Sequence, residues 1–164
     1  MRLGIMSDSH GRVALVRQAL AVLKAAGAQG VVHCGDVGGL EVLDELLGWR
    51  CWFVWGNTDR PWPSWEHHVR ALGLPWPDGP WSLTLAGRKV AVFHGHESGI
   101  QAAADSGGHD YLLHGHTHQR DDYRRGTLRI INPGALHRVS VPTVALLDLG
   151  TDDLAFLEVP DPGR

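Results

Sequence analysis

The sequence predicts an α/β fold in one domain spanning residues 1–164, with a largely parallel β-layer first and hairpin-rich β-structure after it. Three observations carry this prediction. Short apolar runs alternate with helical periodicity as far as Trp55, the rhythm of strand–helix–strand units joined by right-handed crossovers. Each of these apolar runs stops abruptly at small and polar residues that include carboxylate, imidazole or amide side chains. Beyond a proline-rich interruption, runs of strand length are separated by tight-turn sequences. At 164 residues the chain can bury one continuous core without disulfide or metal staples.

Leu3-Gly4-Ile5-Met6 reads as a buried strand that delivers Asp8-Ser9-His10-Gly11 at its C-terminal end. From Val13 to Ala26, Val13, Val16, Leu20 and Leu23 recur at helical spacing, Arg17 and Lys24 lie on another face, and Gly27 stops the run. Val31 to Cys34 is a second strand ending in Gly35-Asp36, and a helix is expected over about Leu40 to Leu47. Cys51 to Trp55 is a third strand, ending in Gly56-Asn57. Residues 60–81 break the rhythm. Pro61, Pro63, Pro75, Pro77 and Pro80 interleave with Trp62, Trp65, Trp76 and Trp81, a density that excludes long helices and central strands and predicts an irregular excursion. Trp81–Ala86 and Lys89–Phe93 then flank a turn at Gly87-Arg88. Tyr111-Leu112-Leu113 is a strand running into His114-Gly115-His116-Thr117-His118. Arg120, Arg124 and Arg125, interleaved with Asp121 and Asp122, read as a solvated hairpin, and strands are expected at about Tyr123–Ile131, Thr143–Leu149 and Leu154–Val159.

Composition excludes several classes. No stretch approaches the ~18 apolar residues of a membrane helix, and no long apolar leader opens the chain. Two cysteines, Cys34 and Cys51, are too few for a secreted disulfide framework, so two buried thiols in a cytoplasmic protein without a membrane partner are expected. A formal charge of −3 disfavours stable nucleic-acid binding, which needs clustered Lys and Arg. Two counts demand an explanation: 11 histidines, and 7 tryptophans that all lie between Trp49 and Trp81.

The strand-end residues explain five of the histidines. In order they are Asp8-x-His10, Gly35-Asp36, Gly56-Asn57, His94-Gly95-His96 and Gly115-His116-Thr117-His118. Carboxylate, imidazole and amide donors suit borderline divalent metals such as Mn, Fe(II), Co, Ni or Zn. Ligands of α/β sheets gather beyond the carboxyl ends of the strands. Residues i and i+2 of a strand share a face, which would pair Asp8 with His10 and His116 with His118. The glycines before Asp36, Asn57 and His116 fit tight turns at strand ends. His67 and His68 read as surface residues, while His33 and His114 precede the motif glycines and are expected to point away from the centre. Asn132-Pro133-Gly134 reads as a chain reversal that positions its neighbours.

This pattern resembles the calcineurin-like metallophosphoesterase family, whose motifs are Asp-x-His, Gly-Asp, Gly-Asn-His-Asp/Glu, His and Gly-His-x-His. Within that family it is most similar to the small bacterial and archaeal phosphodiesterase branch. The match runs from Asp8 to Asn132-Pro133-Gly134. The resemblance implies two mixed β-sheets packed face to face and flanked by helices, with two divalent cations, manganese first and iron, nickel, cobalt or zinc as alternatives. It places Asp8, His10, Asp36 and His118 on one metal and Asp36, Asn57, His94 and His116 on the other, with Asp36 bridging. It implies hydrolysis of a small phosphoester by metal-activated hydroxide in an in-line displacement. The ligand set carries two formal negative charges, so two dications leave the site positive within an acidic protein and able to attract phosphate esters.

One position departs from the family: Gly56-Asn57-Thr58-Asp59 has threonine where the family has the histidine credited with assisting the leaving group. Asp59 is expected to orient neighbouring ligands. Asp36, Asn57 and His96 are the residues expected to carry the chemistry, with His96 as the replacement acid. The alternatives are a phosphomonoesterase, a nucleoside-polyphosphate hydrolase, or a non-catalytic scaffold of the same fold. A metalloprotease is disfavoured because His96-Glu97 is not followed by histidine at the required spacing. The tryptophan cluster reads equally as core, as an apolar rim stacking a nucleobase or aryl group, or as the interface of a homo-oligomer.

Overall fold

A computed structural model describes residues 1–161 of the chain. The first half runs β1 (Arg2–Met6), α1 (Val13–Ala25), β2 (Gly30–His33), α2 (Leu40–Asp44), β3 (Cys51–Phe53), α3 (Trp65–Ala71), β4 (Trp81–Leu85) and β5 (Arg88–Val92). The second runs α4 (Ile100–Asp105), β6 (Tyr111–Leu113), β7 (Arg120–Arg125), β8 (Leu128–Pro133), β9 (Thr143–Asp148) and β10 (Leu154–Glu158). Two five-stranded mixed sheets result, ordered β10-β9-β1-β2-β3 and β4-β5-β6-β8-β7.

Side-chain alternation explains how they stack. Leu3 and Ile5 of β1 enter a layer between the sheets, where they meet Val32, Val54, Val90, Val92, Leu113 and Ile131. Met6, Val31 and Phe53 face the other way, onto Leu15, Leu20 and Leu23 of α1, Val42 and Leu43 of α2 and Val69 of α3. On the far side, Ala91, Leu112 and Ile130 receive Ile100, Ala103 and Ala104 of α4. Burying one such Leu or Ile contributes about 1.5–3 kcal/mol. The shared central layer therefore fixes where the ends of one sheet's strands lie relative to the other's.

That relation positions the site. β1, β2 and β3 are mutually parallel, as are β5, β6 and β8. The C-terminal ends of the two parallel triplets meet. His94, just past β5, bonds the Cys34 carbonyl past β2 at 2.7 Å, and the His116 amide, past β6, donates to Asp8 past β1 at 3.1 Å.

Several elements differ from the sequence expectation. The excursion holds a helix, α3, because Pro63 and Pro75 flank it rather than interrupt it. Val69 anchors that helix and Arg70 pairs with Glu66 one turn away at 2.8 Å. α2 is shorter than expected and continues as turns to Gly48, while β3 ends at Phe53. The β4–β5 turn falls on Ala86-Gly87, both with positive φ, rather than on Gly87-Arg88. The expected strand at Tyr123–Ile131 is two strands, β7 and β8, folded at Gly126-Thr127, so the solvated hairpin extends into the sheet. α4 was not expected, because six residues without a buried side chain leave no periodic signal. Among the tryptophans, Trp49, Trp55 and Trp76 pack against the helix-side core and Trp52 and Trp81 against the inter-sheet layer, whereas Trp62 is 66% exposed. Cys34 and Cys51 are both free and buried. Among the described residues, no helix is long and apolar enough to cross a membrane.

Candidate metal centre

The loops beyond β1, β2 and β6 are held in an unusual backbone conformation. Asp8, His10, Asp36, His116 and His118 all occupy the left-handed region, with φ of 55°, 44°, 52°, 69° and 59°. Each such non-glycine residue costs roughly 1–2 kcal/mol, and strain of this kind gathers where function requires it. The pairing of Asp8 with His10 and of His116 with His118 therefore does not come from strand alternation. Both pairs lie past the last strand residue, in turns that bring their side chains back toward one another. Hydrogen bonds from the backbone amides of Asp8 to the Gly35 carbonyl (3.0 Å), of His10 to that of Asp36 (2.9 Å) and of Gly115 to that of His94 (2.8 Å) hold these turns.

Two donor groups form. Ligand atoms of Asp8, His10 and His118 lie within 4.8 Å of one another, and so do those of Asp8, Asp36 and His94. Asp8 Oδ1 is 3.2 Å from His118 Nε2, and Asp36 Oδ2 is 3.5 Å from both His10 Nε2 and His94 Nε2. Asn57 joins through its Oδ1, 3.1 Å from His94 Nε2. The His116 ring lies beside this group, 5.1 Å from that of His94 between centroids, outside the two closest sets. His96 is further out, its ring 5.4 Å from His94, on the wall of a cleft.

The donor chemistry fits a cation. The Cys34 carbonyl can only accept, so His94 Nδ1 carries a proton and donates to it, leaving the Nε2 lone pair toward Asp36 and Asn57. In the neutral ring of that tautomer, His94 Nε2, Asp36 Oδ2 and Asn57 Oδ1 converge as three acceptors. Asp8 Oδ1 and His10 Nε2 are likewise buried without a hydrogen-bond partner among the described residues. Native proteins rarely leave such atoms unsatisfied, and a metal ion satisfies them. Burial pushes the Asp36 carboxyl up, but the Thr58 amide (3.0 Å) and hydroxyl, with His94 and His10, outweigh it and hold the group below the usual carboxylate range. Thr58 thus grips the central carboxylate.

The surrounding residues fix the loops. Asp59 is buried and accepts three backbone amides, Gly56 at 2.7 Å and Val37 at 3.1 Å on Oδ2 and Gly38 at 2.8 Å on Oδ1, tying the Asn57 turn to the Asp36 turn. Asn132 donates to the Gly115 carbonyl (2.9 Å) and Thr117 hydroxyl (3.0 Å) and accepts the Gly134 amide (3.0 Å), which is the positioning expected of it. The glycines act by close approach: a Cβ on Gly56 would overlap the Asp36 carboxylate, and one on Gly115 the Ser7 and Asp8 side chains. His33 joins neither donor group and bonds the Ser9 hydroxyl at 2.8 Å, and burial followed by repulsion from His94 lowers its pKa to about 3. His114 bonds the Gly115 carbonyl at 3.1 Å instead of joining a donor group. His68 pairs with Asp44 on the surface at 2.7 Å.

Two residues at the site escaped the sequence reading. Glu97 accepts the His94 and Gly95 amides at 2.9 and 2.7 Å, a role signalled by a carboxylate three residues beyond a strand-end ligand. His137 sits 5.4 Å from the His10 ring, with Arg12 3.5 Å from its Nδ1. Its place just after Asn132-Pro133-Gly134 was the only hint.

Comparison with known proteins shows the family. The sequence matches the calcineurin-like phosphoesterase superfamily domain over residues 1–152. It is 30% identical to the phosphodiesterase MJ0936 of Methanocaldococcus jannaschii over 156 residues, covering 90% of this chain and 93% of that protein. It is 28% identical to the phosphodiesterase YfcE of Escherichia coli over 159 residues, covering 87% and 81% respectively. A solved archaeal phosphodiesterase superposes with a TM-score of 0.88 at 27% identity, over 97% of this chain and 100% of that one. The chain belongs to the calcineurin-like phosphoesterase superfamily.

Proposed function

We propose that this chain, acting as a single domain, is a metal-dependent phosphodiesterase whose seven donors hold two divalent cations. Asp8, His10, Asp36 and His118 would surround one, and Asp36, Asn57, His94 and His116 the other, with manganese the first candidate and iron, nickel, cobalt or zinc behind it. The observation that carries this is Asp36 Oδ2, one carboxylate oxygen 3.5 Å from the Nε2 atoms of two separate histidines. Bound there, dications would supply Lewis acidity toward phosphoryl oxygens and a water acidified toward neutral pH. The names of the relatives and the shared superfamily support phosphodiester hydrolysis. Buried donor atoms without partners argue against a scaffold, which has no use for them. A small phosphoester substrate, a cytoplasmic setting and no stable nucleic-acid partner complete the reading, the second supported by two free thiols.

The chain's own residues set the rest. Thr58 gives both amide and hydroxyl to Asp36, so it keeps that carboxylate ionised and cannot protonate a departing alkoxide. His96, exposed beside His94, is our candidate for that role. A positioned imidazole contributes roughly 10²–10⁴-fold in such a role.

Two measurements test this. Metal-free protein should hydrolyse bis(p-nitrophenyl) phosphate far more slowly than the Mn-loaded form, and equal rates would end the proposal. A leaving-group series on wild type, Thr58→His and His96→Ala then assigns the acid. With His96 as acid, the plot of log rate against leaving-group pKa is shallow in wild type and steepens in His96→Ala. A steep wild-type slope that flattens in Thr58→His means that no acid operates at the native site. Flat slopes throughout would point to water as the proton source.

A further inference from the structure

Next to the donor cluster lies a cleft of about 370 Å³, within the range of small-molecule sites. Its floor joins the centre at Gly56, which precedes Asn57, and at His96, two residues past His94. Trp55 and Trp76 form its walls, their rings 5.4 Å apart and edge-on, with prolines of the excursion closing the sides. Such aromatic walls are what flat rings stack on. Trp55 Nε1 is buried with no hydrogen-bond partner, and Asp78, exposed on the cleft, makes no hydrogen bond or ion pair among the described residues. The cleft therefore presents an unused acceptor, Asp78, beside two aromatic rings.

Charge narrows the occupant. Among the described residues no lysine or arginine lines the cleft, whereas Asp78 and Glu97 do, so a second phosphate is disfavoured there. Glu97 is already committed to the His94 and Gly95 amides, which leaves Asp78 to read an N–H on a neutral ring. Resting on the phosphodiesterase reading above, we propose that this cleft binds a nucleobase, so that the substrate is a phosphodiester with a nucleoside arm.

The test compares AMP with ribose 5-phosphate as inhibitors of bis(p-nitrophenyl) phosphate hydrolysis by the Mn-loaded protein, since the two differ only in the base. AMP should bind at least ~5-fold more tightly, the lower end of the ~5- to 150-fold that stacking one base spans. In Trp76→Leu the advantage should shrink to within about twofold. Adenosine should also quench tryptophan emission of the metal-free protein saturably. Asp78→Ala, an exposed change that keeps every tryptophan, should raise its Kd at least ~3-fold and decides the matter if Trp76→Leu fails to fold. Hydrolysis with no advantage for AMP overturns the nucleobase site and leaves the phosphodiesterase reading intact. Adenosine binding without hydrolysis does the reverse. A wild-type dimer that Trp76→Leu makes monomeric, with no adenosine binding, makes the cleft a contact between two copies and overturns the proposal.

Discussion

Asp36→Asn is expected to lower phosphodiester turnover by ~10³-fold or more while the metal-free fold survives. The asparagine keeps the side chain's shape and an oxygen to accept the Thr58 amide, so the local packing has no reason to fail. What disappears is the one negative charge lying between His10 and His94. Without metal that charge favours the fold at neutral pH, because the Thr58 amide and hydroxyl, with His94 and His10, hold the carboxyl below its usual range. Asp8, with a ligand oxygen within 4.8 Å, opposes that ionisation and offsets part of the gain. The metal-free variant should therefore melt at the wild-type temperature or ~2–4 °C below it, about the shift that 1 kcal/mol makes in a domain of this size. Adding Mn²⁺ should raise the wild-type Tm and barely move the variant's, since only a folded site binds the ion. Elemental analysis should find two metals per wild-type chain and fewer in the variant. Two metals in the variant, or turnover near wild type, would remove Asp36 from the shared position.

This experiment concerns a residue that was legible in the sequence. Asp36 announced itself because an apolar run, Val31 to Cys34, ended in Gly-Asp, and the same grammar exposed Asp8, Asn57, His94 and His116. Strand–helix alternation likewise gave away the parallel order of β1, β2 and β3. Sequence period does not report backbone handedness, so the left-handed turns that aim His10 and His118 inward were read as strand alternation. Nor does it report contacts between distant residues: His137 is 125 positions from Arg12, and only the fold brings it beside Arg12 and His10. Thr58 looked like a lost acid, whereas its amide and hydroxyl serve the neighbouring carboxylate. The prolines of the excursion spoke for irregularity, and α3 fits between two of them because proline constrains mainly its own position and the one before it.

Asp59→Ala should damage both stability and metal binding, although Asp59 belongs to neither donor group. Its carboxylate takes the amides of Val37, Gly38 and Gly56, and truncation leaves all three without their acceptor in a nearly buried pocket. An unsatisfied buried amide costs about 1–3 kcal/mol, and water entering the gap recovers part of that, so a loss of about 3–5 kcal/mol is expected in urea unfolding of metal-free protein. Asp59→Asn separates charge from geometry. Its single oxygen is best turned toward Val37 and Gly56, which sets its NH₂ against the Gly38 amide, donor facing donor. That variant should lose about 1–3 kcal/mol. Because the three amides belong to the turns that present Asp36 and Asn57, releasing them should also weaken Mn²⁺ binding, by ~10–100-fold in a calorimetric titration of Asp59→Asn. A stability loss with unchanged Mn²⁺ affinity would mean that the Asp36 and Asn57 turns are held by the Thr58 amide and the His94 bridge alone. Unchanged stability in Asp59→Ala would mean that solvent reaches these amides freely, and that the three short hydrogen bonds are not what joins the two loops.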